Sequence, residues 1–124
     1  MTVQTLTAAD FESTVLASPI VLVDFWAPWC GPCRAFAPVF ERSSQSHPDI
    51  VYAKVDTDAE RELAATVGIR SVPTIMAFRE GILIYSRPGA MSPAVLDDLI
   101  DQVKALDMER VRAKIAERKA AVQA

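Results

Sequence analysis

Several large classes of protein are excluded by what this sequence has little of. It carries two cysteines and one histidine in 124 residues, too few for a disulfide framework or for a four-ligand zinc site within one chain. No apolar run approaches the ~20 residues that a membrane-spanning helix needs. Met1 to Asp10 lacks the basic cluster and apolar stretch of a secretory leader. A net charge of −3 lacks the basic excess typical of nucleic-acid binders. We therefore expect a cytoplasmic protein with no membrane or nucleic-acid partner and no metal. In a reducing compartment a cysteine pair serves catalysis or metal binding more often than structure.

What is present suits one domain. A hydrophobic share of 51% supplies a real core for a chain of this length, and no internal repeat or low-complexity segment interrupts it. Charge is unevenly spread, however. Residues 107–124 hold five basic and three acidic side chains, a local balance of +2 that leaves −5 for the rest.

Thr7 and Asp10 have capping-box-like spacing, and Phe11, Val15 and Leu16 then give a helical apolar face. Ser18-Pro19 ends that helix. Ile20 to Trp26 reads as a strand covered on both faces, because its apolar residues run on without alternating. Ala27 to Gly31 forms a loop, Pro32 suits a first helical position, and the helix continues to about Ser46 with a kink expected at Pro38. A strand over Ile50 to Val55 precedes a helix from Asp58 to Val67 closed by Gly68, with Thr57 or Asp58 as its cap. Thr74 to Phe78 and Ile82 to Tyr85 form a hairpin around Glu80-Gly81, and Ser92 caps a further helix. This order implies an α/β fold with a mixed sheet and helices on both faces.

Cys30-Gly31-Pro32-Cys33 lies where the central strand hands over to a helix. Unpaired N–H groups and the positive dipole end at a helix N-terminus stabilise a thiolate, so Cys30 is the candidate nucleophile. Cys33, one turn in and less exposed, is the candidate resolving thiol. Asp24 interrupts the apolar run, where burial raises a carboxyl pKa and makes a candidate proton carrier. Lys54, on the next strand, is its candidate charge partner.

Phe25-Trp26-Ala27-Pro28-Trp29-Cys30-Gly31-Pro32-Cys33 resembles the active-site signature of the thioredoxin family. Ala53-Lys54-Val55-Asp56, Gly68 to Thr74, and Pro88-Gly89-Ala90 resemble the family's segments with a buried lysine, a cis-proline and a third substrate-facing loop. The resemblance spans residues 3–106 and implies a thioredoxin fold over 1–106, with 107–124 as a C-terminal helical extension. It implies a protein-disulfide reductase that uses Cys30, Cys33, Asp24 and Lys54 and no bound cofactor. Trp29, Gly31, Pro32, Val72, Pro73 and Gly89 would receive an extended client segment around Cys30. Partners would be disulfide-bearing client proteins and a thioredoxin-reductase-type electron donor, with the chain itself a monomer. The thioredoxins are themselves the reference case for a nucleophilic thiol pKa of about 7, so that figure is carried over from them. Ser71 stands where many members have glycine, and Arg34 replaces the commoner lysine.

Competing readings exist for each feature. Zinc would need ligands from a second chain. Taken alone, Asp24 is more simply a strand carboxylate with local hydrogen bonds, and Lys54 a strand lysine that reaches solvent. Phe25 and Trp26 fit the core, whereas Trp29, in the loop, is the better contact residue. His47 reads as a solvated helix end. The extension places Met108, Val111, Ile115 and Val122 in a thin stripe that reads as a solvated helix, with a docking or dimerisation helix as the sharper alternative. Two other functions compete: an oxidant or isomerase of an exporting compartment, and a binding module whose thiols are incidental.

Overall fold

Strand β2 (Ile20–Trp26) occupies the centre of a five-stranded sheet in this computed structural model, which describes residues 3–123. In chain order the elements are β1 (Val3–Thr5), α1 (Ala8–Ala17), β2, α2 (Gly31–Ser46), β3 (Val51–Asp56), α3 (Arg61–Thr66), β4 (Thr74–Arg79), β5 (Ile82–Pro88), α4 (Pro93–Ala105) and α5 (Met108–Gln123). The sheet runs β1-β3-β2-β4-β5, with β1, β3 and β2 parallel and the β4–β5 hairpin antiparallel.

Strand alternation divides the core in two. Ile20 and Leu22 face α2 and α4, joining Phe36, Phe40, Tyr52, Leu96 and Ile100. Val21, Val23 and Phe25 face the other way, onto Phe11 and Val15 of α1, with Leu63 of α3 and the Val67 that follows it at the margin. A two-sided central strand explains the unbroken apolar run, since both of its faces must leave water. The same alternation puts Asp24 on the Leu22 side, under α2.

Local chemistry sets the element ends. The Thr7 N–H donates to Asp10 Oδ1 at 2.6 Å, and the Val95 N–H donates to Ser92 Oγ at 3.2 Å, capping α1 and α4. Helix α2 runs through Pro38 without ending. At the β4–β5 turn Gly81 has φ +79°, a conformation that favours glycine because L side chains rarely adopt it.

The structure departs from the sequence expectations at four places. Strand β1 gives too short a signal to be read, with Gln4 and Thr5 exposed. Leu16 is 64% exposed, because the buried stripe of α1 follows Phe11 and Val15 and leaves the next residue outside. Helix α3 starts at Arg61, since Asp56 Oδ1 accepts the N–H groups of Asp58 (2.9 Å) and Ala59 (3.2 Å) and holds a turn there first. Strand β5 extends to Pro88, as pairing with β4 continues beneath polar, outward residues.

Residues Leu106 and Asp107 separate α4 from α5. Asp107 Oδ1 accepts from Glu109 and Arg110 N–H groups at 3.1 and 3.3 Å and opens the new helix. Helix α5 then folds back along β5. Met108 is buried, Val111 and Ile115 line a groove with Ile82 and Ile84, and Arg112 pairs with Glu80 at 2.7 Å. Val122 stays 86% exposed. The inner half of the stripe therefore meets its own chain and the outer half meets solvent. Truncation after Leu106 should lower the unfolding free energy by about 2 kcal/mol, the usual value of one buried Met with its neighbours. Urea titration reads this; an unchanged midpoint would mean that α5 adds nothing to the domain.

Candidate active site

The loop after β2 is tied down before the helix begins. Cys30 N–H bonds the Ala27 carbonyl at 3.2 Å, Arg34 N–H bonds the Cys30 carbonyl at 3.2 Å, and the Arg34 guanidinium donates to the Pro28 carbonyl at 2.9 Å. Cys30 thereby becomes the N-cap of α2, and Pro32 occupies an early position where its missing N–H costs nothing. Cys30 Sγ accepts the Cys33 N–H at 3.2 Å, the bond an N-cap Ser or Asp oxygen would accept elsewhere. The two Cα atoms lie 5.2 Å apart and the sulfurs are joined as a disulfide. Cys30 is 4% and Cys33 2% exposed. The expected order of exposure holds, but Cys30 is far less open than a free surface thiol, because Ala27, Trp26 and Val72 pack around the pair.

Three segments distant in sequence converge on this pair. The Val72–Pro73 peptide is cis, and the Val72 carbonyl oxygen lies 3.6 Å from Cys30 Sγ. Gly89 N–H donates to the Pro73 carbonyl at 2.8 Å, so the loop after β5 closes the far side. Trp29 is 69% exposed, with its indole N–H on Asp58 Oδ1 at 3.4 Å. Gly31, Pro32 and Gly89 are exposed, Val72 is half-buried, and Pro73 is buried. Pro73 thus shapes the groove from beneath and contributes no open surface. The link from Asp58 to Trp29 and the Arg34 anchor on Pro28 escaped the sequence reading. Asp58 looked like a helix cap, and only the folded chain brings it across 29 residues.

Asp24 and Lys54 are side by side. They are register partners between β2 and β3, and both line a cleft of about 440 Å³ under α2 together with Arg34, Pro38 and Glu41. Asp24 is 4% exposed, and its Oδ1 has no hydrogen-bond partner among the described residues. Burial drives its carboxyl from the ordinary 3.8 up to about 7, with the Lys54 ammonium pulling the other way. Lys54 is half-buried, and its Nζ lies 5.5 Å from the centroid of the Trp26 ring. The plain alternative, a carboxylate satisfied by local bonds, is not what the structure shows for Oδ1.

Comparison with known proteins gives a consistent result. The family model described as Thioredoxin matches residues 2–104. The chain is 48% identical over 115 residues to "Putative thioredoxin 2" of Streptomyces coelicolor, covering 93% of this chain and 86% of that protein. Over 99 residues it is 46% identical to "Thioredoxin 1" of Synechococcus elongatus, covering 78% and 92%. Among solved structures, a mutant thioredoxin from Halobacterium salinarum superposes with a TM-score of 0.79 at 31% identity, covering 85% of this chain and 93% of that one. A match of 115 residues cannot fit within residues 1–106, so the similarity to the Streptomyces protein runs into the C-terminal extension.

The Asp24 carboxyl gives the stability a defined pH dependence. Its folded pKa lies above its unfolded one, so the native state binds the extra proton between the two values. Stability from this group is full below about 3.8 and is lost as pH rises through about 7. Relative to Asp24→Asn, the wild type should lose about 4 kcal/mol between about pH 4 and about pH 8. Urea titrations across that range check it; parallel curves for the two proteins would assign the titration elsewhere.

Proposed function

The chain belongs to the thioredoxin family and is a protein-disulfide reductase, and we propose that Cys30 is its attacking sulfur and Cys33 its resolving sulfur. The observation that carries this assignment is Cys30 Sγ at the N-cap of α2, accepting the Cys33 N–H and bonded to Cys33. In the reduced protein the same N–H and the helix dipole favour the Cys30 thiolate over the thiol.

The reaction then runs in two exchanges. The Cys30 thiolate attacks one sulfur of a client disulfide, forming a mixed disulfide, and the other client sulfur leaves as a thiolate that takes up a proton. Cys33 gives its proton to Asp24 and attacks Cys30 Sγ, releasing the second client thiolate and closing the Cys30–Cys33 disulfide. Two electrons pass from the dithiol to the client, and an external thioredoxin-reductase-type donor returns two electrons and two protons. No bound cofactor takes part. Asp24 suits the proton step because a carboxyl titrating at about 7 can both accept and return a proton near neutrality. Lys54 tunes that carboxyl from the adjoining strand.

Client binding falls to the surface around Cys30. Trp29, Gly31, Pro32 and Val72 offer the contact area, Gly89 borders it, and Pro73 fixes the backbone below. An extended client segment pairs there with exposed main chain while its cysteine reaches Cys30. We assign residues 1–106 to the catalytic domain and 107–124 to an extension outside it. The protein acts as a cytoplasmic monomer in this reading, and no helix among the described residues is long and apolar enough to cross a membrane.

Cysteine variants test the assignment directly. Cys30→Ser should reduce insulin-type disulfides no faster than background. Cys33→Ser should make the first attack and then accumulate client mixed disulfides that dithiothreitol releases. Trp29→Ala should keep both thiols and lower kcat/KM about tenfold, as expected for an exposed aromatic contact. Undiminished reduction by Cys30→Ser would overturn the mechanism.

A further inference from the structure

Helix α5 lies beyond the stretch that the family model matches, residues 2–104, and leaves a groove of about 280 Å³ between itself and the start of β5. Its floor is apolar. Leu106, Val111 and Ile115 are half-buried there, and Leu83 is 48% exposed. Successive helix residues turn by about 100°, so Val111, Lys114, Ile115, Arg118 and Val122 all point within about 60° of one direction. One face of α5 therefore forms a wall of the groove, and the exposed Val122 continues its stripe.

The charged residues lining the groove, Lys114 and Arg118, are both cations. Both are exposed, and neither makes a hydrogen bond or ion pair among the described residues. The carboxylates of α5 lie off this face: Glu109 and Glu117 point about 160° and about 120° away from Val111. Asp107 keeps its charge while accepting the Glu109 and Arg110 N–H groups, and it stands beside Leu106, at the opposite end of the groove from Arg118. Glu80 is met by Arg112 at 2.7 Å and Arg79 at 4.0 Å. With all of these counted, residues 79–80 and 107–124 hold six basic and four acidic side chains, a local +2 in a chain of −3.

We propose that this groove docks an amphipathic helix of a partner protein whose apolar face is edged by Asp or Glu. Apolar anchors three, four and seven positions apart on the incoming helix match the spacing along α5, and acidic residues beside them reach Lys114 and Arg118. A lipid surface fits less well, because the floor is recessed between a helix and a strand, whereas a membrane-binding helix turns its apolar face outward. Docking involves no redox step, so the inference stands apart from the roles of Cys30 and Cys33. Its consequence for them is one of concentration. Ile84 at the groove and Gly89 beside the redox pair are five residues apart along β5 and the loop after it, about 17 Å, so a partner held on α5 stays near Cys30.

The test titrates the full-length protein with three helical peptides that share Leu anchors at this spacing and carry Glu, Gln or Lys beside them. NMR shifts induced by the Glu peptide should centre on Leu83, Val111 and Ile115. At low ionic strength that peptide should bind about fivefold more tightly than the Gln peptide, with Lys weakest, as two exposed ion pairs allow. The gap should close in about 1 M salt, where screening acts within about 3 Å. The double variant Lys114→Gln with Arg118→Gln should bind the Glu and Gln peptides alike, and Leu83→Ser should weaken all three. Both variants should reduce insulin at the wild-type rate. Shifts centred elsewhere, equal affinities, no binding by any peptide, or a preference that survives the double variant would each overturn the inference. So would binding of the protein to phosphatidylglycerol vesicles that the double variant loses, which would assign the surface to lipid, or a doubled solution mass lost in the same variant, which would assign it to a second copy.

Discussion

The unpaired N–H groups at the start of α2 are the constraint around which this molecule is organised. A helix that begins immediately behind a central strand points those donors at the end of the sheet, and something must accept from them. Here the acceptor is a sulfur, Cys30 Sγ on the Cys33 N–H. Much of the surrounding structure serves to hold that geometry. Arg34 anchors the preceding loop to its own helix through Pro28, Thr57 bonds the Trp26 carbonyl through its N–H at 2.8 Å, and the cis peptide before Pro73 sets the Val72 carbonyl against the same sulfur.

Asp24 runs against the economy of the core around it. Its neighbours Val23 and Phe25 are fully buried and apolar, and α2 closes over it. An apolar residue would stabilise the strand more. Burial instead gives this carboxyl a pKa raised to about 7, with the Lys54 ammonium opposing the rise. Stability and the proton-carrier role proposed for Asp24 thus draw on one side chain in opposite directions.

The two faces of the sheet carry different duties. Helices α2 and α4 cover the face that holds Asp24 and supply the helix start on which the redox pair sits. Helix α1 and the shorter α3 cover the other face, and α3 ends beside the Trp29 side of the active site. Helix α5 belongs to neither layer. It lies along β5, where its half-buried residues cover strand surface that would otherwise meet water.

Near-neighbour chemistry was legible in the sequence. The apolar run of β2, the caps at Thr7 and Ser92, the Glu80-Gly81 turn and the cysteine spacing follow from residues within a few positions of one another. They report the backbone's own preferences and the placement of Cys30 at a helix start. Short or edge elements were not legible: β1 offers three residues without periodicity, and the start of α3 was decided by Asp56 capturing two N–H groups ahead of the helix.

The sequence by itself determined that a cysteine pair would stand at the end of a buried strand, with a carboxyl inside that strand. Only the tertiary structure decided what surrounds them: Val72 against Cys30, Asp58 on Trp29, Gly89 on Pro73, and Lys54 abreast of Asp24. The reason is separation along the chain. These contacts join residues from 16 to 42 positions apart, brought together by sheet register and loop closure rather than by local preference.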